Sequence, residues 1–120
     1  MVFMFENLQV YRKAVDFADE VTCAAETFPR GYNFLVDQLN RAALSISANI
    51  AEGNGRFTKA DRRNFFTIAR GSTHECIPLL ELALRRGFIT PSRHSELRTK
   101  LEEIAKMLAG LIQGLNNRKI

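Results

Sequence analysis

Apolar positions recur at helical spacing in four separate stretches of this chain, when each residue is advanced by about 100°. Over about 7–27, Val10, Tyr11, Ala14, Phe17, Ala18, Val21 and Ala25 share one stripe, and Phe28 follows it. Asn7 is the expected N-cap, because a short amide side chain can accept an orphan backbone N–H. Pro29 and then Arg30-Gly31 end the pattern. Over about 33–52, Leu35, Leu39, Ala42, Ala43, Ile46 and Ile50 make a core stripe, and Gly53-Asn54-Gly55 is expected to break the helix. The third stretch, about 59–86, starts at Thr58 as N-cap with Asp61 three residues on. Its stripe is Phe65, Ile68, Ala69, Ser72, Cys76, Leu79, Leu80 and Ala83, widened by Phe66, Ile77 and Leu84. Pro78 removes the donor for the His74 carbonyl and costs about 3 kcal/mol against Ala. Periodicity continues in phase past it, which predicts a kink near 74–78 rather than a break. Over about 91–115, Thr90 as N-cap and Pro91 at the first helical position open a stripe of His94, Leu97, Leu101, Ile104, Ala105, Leu108, Leu111, Ile112 and Leu115. Residues 116–120 are expected to fray.

The links between these stretches are short, which forces neighbouring helices antiparallel. No stretch alternates as a strand would. The expected fold is therefore all-α, an up-down-up-down four-helix bundle forming a single domain over residues 1–120.

Composition narrows the class further. With 46% apolar residues there is enough material for a core. No run approaches the roughly 20 apolar residues of a membrane span, so no membrane partner is expected. The start, MVFMFENLQVYRK, lacks the basic and then apolar regions of a signal peptide, which points to the cytoplasm. Cys23 and Cys76 are expected to be free buried thiols. With His74 and His94 they show no ligand spacing, so no metal or other cofactor is expected.

The net charge is +4, and its placement matters more than its size. Residues 56–70 carry Arg56, Lys59, Arg62, Arg63 and Arg70 against Asp61 alone. A basic face of this kind is either a solvated helix surface or a set of phosphate contacts, since each neutralised phosphate releases counterions. The start of the third helix adds the weak positive field of a helix N-terminus. These five residues are the candidate nucleic-acid contacts.

The second helix carries two further features. Gln38, Ser45, Asn49 and Glu52 form a polar file, and Glu52 or Glu75 has Arg41 or Arg70 as a prospective partner. General acid–base chemistry needs a positioned acid, a partner and a cleft. No nucleophile–base–orienter set is present, so Ser45, Asn49, Glu52 and Glu75 read as a structural hydrogen-bonded network. No enzyme is expected. Opposite the core stripe, Leu44, Ala48 and Ala51 form an apolar back face. A surface helix of a monomer is polar there, so this face predicts an interface between copies.

Three stretches carry a resemblance: Phe5-Glu6-Asn7-Leu8-x-Val10; Arg41-Ala42-Ala43-x-Ser45-Ile46-x-Ala48-Asn49-Ile50-Ala51-Glu52-Gly53-x-Gly55-Arg56; and Phe65-Phe66-x-Ile68-Ala69-Arg70-Gly71-Ser72-x-x-Glu75. They resemble the four-helix bundle family of the 23S rRNA intervening-sequence proteins, and the match runs over almost the whole chain. A more distant similarity is to the accessory variability determinant of diversity-generating retroelements, a basic pentameric bundle that binds a reverse transcriptase and nucleic acid. The resemblance implies a cytoplasmic bundle assembling as a ring, typically a homopentamer. It carries over no catalytic residues. Five copies at +4 each would carry about +20, a substantial positive field. The expected function is a non-enzymatic accessory factor that binds RNA or DNA phosphates through the basic face. The alternative is a protein-only scaffold that docks a polymerase or reverse transcriptase.

Overall fold

The four stripes become four helices: α1 (Gln9–Ala25), α2 (Asn33–Asn54), α3 (Lys59–Arg85) and α4 (Pro91–Asn117). A computed structural model describes Met1 and residues 3–117. Each helix packs on its neighbour in sequence, and α4 closes back on α1 with no diagonal pairing among the described residues. With short links, that adjacency is the antiparallel up-down-up-down bundle. Its long axis, 52 Å, fits 27-residue helices of about 40 Å plus their turns.

The helix starts follow from the caps. Thr58 Oγ1 accepts from the Asp61 N–H at 3.1 Å, and Thr90 Oγ1 from the Arg93 N–H at 3.1 Å. Gly87, with φ at +76°, takes the left-handed position after α3. α3 passes through Pro78 without a break.

Several boundaries and orientations differ from the sequence expectations. Asn7 is not a cap. It closes a single 3-10 turn over Met4–Asn7, and Leu8 occupies the N-cap of α1. The turn folds Phe5 back so that its ring meets Tyr11 edge-on at 5.0 Å, which shields both rings from water. α2 continues through Gly53 to Asn54 instead of breaking there. A Cβ at Gly53 would lie 2.8 Å from Phe66 Cε1 and 3.0 Å from Phe65 Cβ, so this glycine serves close helix approach, not a turn. The buried line of α3 is Phe66, Ala69, Ser72, Thr73, Cys76, Leu80 and Ala83. It is rotated from the expected stripe, leaving Ile68 exposed and burying Thr73, whose hydroxyl donates to the Arg70 carbonyl at 2.5 Å. Cys23 is exposed, against expectation, because it falls outside the α1 stripe; Cys76 is buried. Loss of solvent pushes the Cys76 thiol up to about 12. Asn116 and Asn117 remain helical, because α4 continues past Leu115 against the start of α3, where Asn116 meets Arg63; residues 118–120 of the expected tail lie outside the described residues.

Ion pairs reinforce the α1–α4 contact. Lys13 Nζ lies 2.9 Å from Glu103 Oε1, and Glu20 pairs with both Arg93 and Lys100. Burial alone would raise the Glu20 carboxyl. The hydrogen bond and charge of Lys100, with those of Arg93, outweigh burial and hold the group below its ordinary 4.5.

Two outcomes are expected. Gly53→Ala lowers stability by about 1–3 kcal/mol through overpacking, whereas Gly71→Ala, whose added methyl meets nothing within 4 Å, raises it by about 0.5–1 kcal/mol; thermal melts of the two variants check the contrast. The Glu20 contribution is complete above about 4.5 and fades as pH falls through the lower, folded-state value. Glu20→Gln thus costs about 1 kcal/mol at neutral pH, and urea titrations at falling pH should show its deficit against the parent chain shrinking below 4.5.

Candidate nucleic-acid interface

The turn between α2 and α3 is built by backbone and arginine together. The Gly55 N–H donates to the carbonyls of Ala51 and Glu52 at 3.3 and 3.2 Å, closing α2. The Arg56 N–H donates to the Gly53 carbonyl at 3.2 Å, and Thr58 then caps α3. Arg56 turns its guanidinium over the Phe65 ring, 4.6 Å from the centroid, and bonds Glu52 Oε2 at 3.0 Å. Arg62 reaches back so that its Nε donates to the Arg56 carbonyl at 2.7 Å. Arg63 Nη1 donates to Asn116 Oδ1 at 3.0 Å, which ties the corner to the end of α4.

Four of the five sequence-predicted cations therefore gather at one end of the bundle. Arg56 and Arg62 clasp the turn, while Lys59 and Arg63 lie one helical turn apart on α3. Arg70 is exposed on the Arg63 side but about 10 Å further along α3. Arg56 has a carboxylate partner, whereas Arg62 and Arg63 bond uncharged acceptors, so those bonds leave their charges in place.

The polar residues of α2 line its outer seam with α3 rather than a buried layer. Arg41 bonds Glu75 and also Gln38 Oε1, the latter at 2.8 Å. Ser72 Oγ donates to Ser45 Oγ at 2.9 Å, and Asn49 Nδ2 donates to the Ser45 carbonyl at 2.8 Å. Glu52 belongs to the Arg56 end, so the set Ser45, Asn49, Glu52 and Glu75 splits between two linked pairs and a serine–asparagine centre. Ser45, Asn49 and Glu75 are half-buried and Glu52 is exposed. The seam runs along the helix surface because Phe66 and Ala69 already fill the space beneath it. Among the described residues, no cluster of His, Cys, Asp or Glu suits a metal ion.

The back face of α2 is open in the single chain. Leu44 is 64% exposed, Ala48 is exposed, and Ala51 is half-buried. Ile68 on α3 and Phe57 in the turn add exposed apolar surface, and Phe57 is 99% exposed. A concavity of about 720 Å³ opens here, lined by Phe5, Ala48, Ala51, Arg56, Phe57 and Asp61 among others. Sequence reasoning missed both Phe57 and Ile68. Phe57 sits in a turn, where periodicity assigns no face, and its only signal was an aromatic between Arg56 and the Thr58-Lys59 start of α3. Ile68 fell on the expected stripe until Phe66 took the buried position.

Fold and site together define an all-helical antiparallel bundle with a basic turn at one end. The chain belongs to the 23S rRNA-intervening sequence protein family, whose profile matches residues 6–110. Its structure is similar to the crystal structure of a protein with unknown function from the S23 ribosomal protein family of Bacteroides thetaiotaomicron VPI-5482. The two share 27% identity and a TM-score of 0.80, over 87% of this chain and 98% of that one. No curated protein matches the chain. Among the described residues no helix is long and apolar enough to cross a membrane.

Proposed function

We propose that this chain is a non-enzymatic, cytoplasmic accessory factor that binds nucleic-acid phosphates through the α2–α3 corner and acts as a ring of identical copies. Arg62 and Arg63 carry the reading, because both are fixed by uncharged acceptors and keep their charge for a ligand.

 The expected size of this phosphate-binding ring is a pentamer. Lys59 and Arg70 extend the same face along α3, and Arg56 contributes second because Glu52 shares its charge. Such contacts position a nucleic-acid backbone and do not read its sequence. The ring part of the proposal is supported by the uncovered apolar surface at Leu44, Ala48 and Ala51.

A second reading draws on that same surface. A protein-only scaffold would use the exposed Leu44 and Ile68 to dock a polymerase or reverse transcriptase, with the cations as a solvated rim.

Gel shifts with RNA and DNA separate the two. Binding is expected to weaken steeply with salt, with a log–log slope of about −0.7 to −0.9 per phosphate neutralised. Arg63→Glu with Arg70→Glu is expected to abolish it. Unchanged affinity in that double variant removes the assignment, and no shift at low salt favours the scaffold. Light scattering at micromolar concentration should give the mass of several chains, and Leu44→Glu should reduce it to one; a monomeric parent chain would remove the ring.

A further inference from the structure

Phe57 stands in water at the centre of the cationic corner, 99% exposed. Its backbone is held from both sides. The Arg56 N–H bonds the Gly53 carbonyl, Arg62 Nε bonds the carbonyl of the peptide joining Arg56 to Phe57, and Thr58 caps α3 immediately after. The ring is therefore carried on a fixed turn, with one guanidinium bonded directly beneath its own peptide. Phe65 and Arg56 form an aromatic–guanidinium pair in the same corner, 4.6 Å from the guanidinium carbon to the ring centroid. The concavity of about 720 Å³ beside Phe57 carries Glu52 and Asp61 against Arg56, and its Ala48 and Ala51 wall belongs to the surface assigned to the ring, so Arg62 and Arg63, which do not line it, are the cations left for a ligand. Phosphate contacts alone need no exposed aromatic ring. An exposed ring beside fixed cations is an arrangement that holds unpaired bases, because a base in a duplex has no free face to stack.

We propose that this corner takes single-stranded nucleic acid, with an unpaired base stacked on Phe57 and the flanking phosphates held by Arg62 and Arg63. This rests on the phosphate-binding reading above and specifies its ligand. The opposite charges of ligand and corner favour a nucleic acid over a second copy of the chain as the occupant.

The test uses the full chain with labelled single strands of about 15 nucleotides, and duplexes of the same length, at low salt. Phe57→Ala is expected to weaken single-strand binding roughly 10- to 100-fold, to change duplex binding less than about two-fold, and to leave the mass by light scattering unchanged. The chain contains no tryptophan, so Phe57→Trp provides a sole reporter. It is expected to restore affinity and to be quenched by single strands but not by duplexes. Equal single-strand affinity in Phe57→Ala and the parent overturns the proposal, as does an equal loss on both probes. A changed mass in Phe57→Ala overturns it too, by making Phe57 a contact between copies. Binding that is salt-sensitive yet indifferent to Phe57 removes only the stacking, whereas a parent chain that binds neither probe removes the phosphate reading with it.

Discussion

The absence of a side chain at Gly53 sets how closely α2 and α3 approach. Phe66 occupies the space that a methyl group would need, and Phe65 lies against the same point. Because the helices meet there without an intervening side chain, α2 runs on to Asn54 and the link to α3 is confined to Gly55–Thr58. That short link places Arg56 within reach of both Glu52 and Phe65, and lets Arg62 bond the turn's own carbonyl. Close packing thus determines the geometry of the basic corner.

Charge is handled differently on the two sides of the bundle. Across α1 and α4, cations meet carboxylates: Lys13 with Glu103, and Arg93 and Lys100 with Glu20. Those pairs tie two helices together and leave little field outside. At the corner, Arg62 and Arg63 meet a carbonyl and an amide oxygen instead. An uncharged acceptor fixes a guanidinium without cancelling it. The same residue type therefore acts as a tie on one side and as a source of field on the other.

Along α2, three surfaces follow from one helix. Leu35, Leu39, Ile46 and Ile50 face the core; Arg41, Ser45 and Asn49 follow the α3 seam; Leu44 and Ala48 face outward. The seam bonds fix the rotation of α2 against α3, and that rotation keeps the outward pair clear of the bundle.

The bundle itself was legible in the sequence. Helical periodicity, the caps at Thr58 and Thr90, and the short links all depend on local spacing, and each has its counterpart in the structure. The clustering of four cations was legible for the same reason, since they lie within eight consecutive residues. What tertiary packing decided were the choices between near neighbours. Phe66 rather than Ile68 is buried, Gly53 extends a helix rather than ending it, and Cys23 faces water. Periodicity fixes a direction only to within about one residue's turn, and the facing helix selects among the candidates by shape. The exposure of Phe57 and the acceptors of Arg62 and Arg63 depend on atoms distant along α2 and α4 or set by the turn, so only the folded chain could assign them.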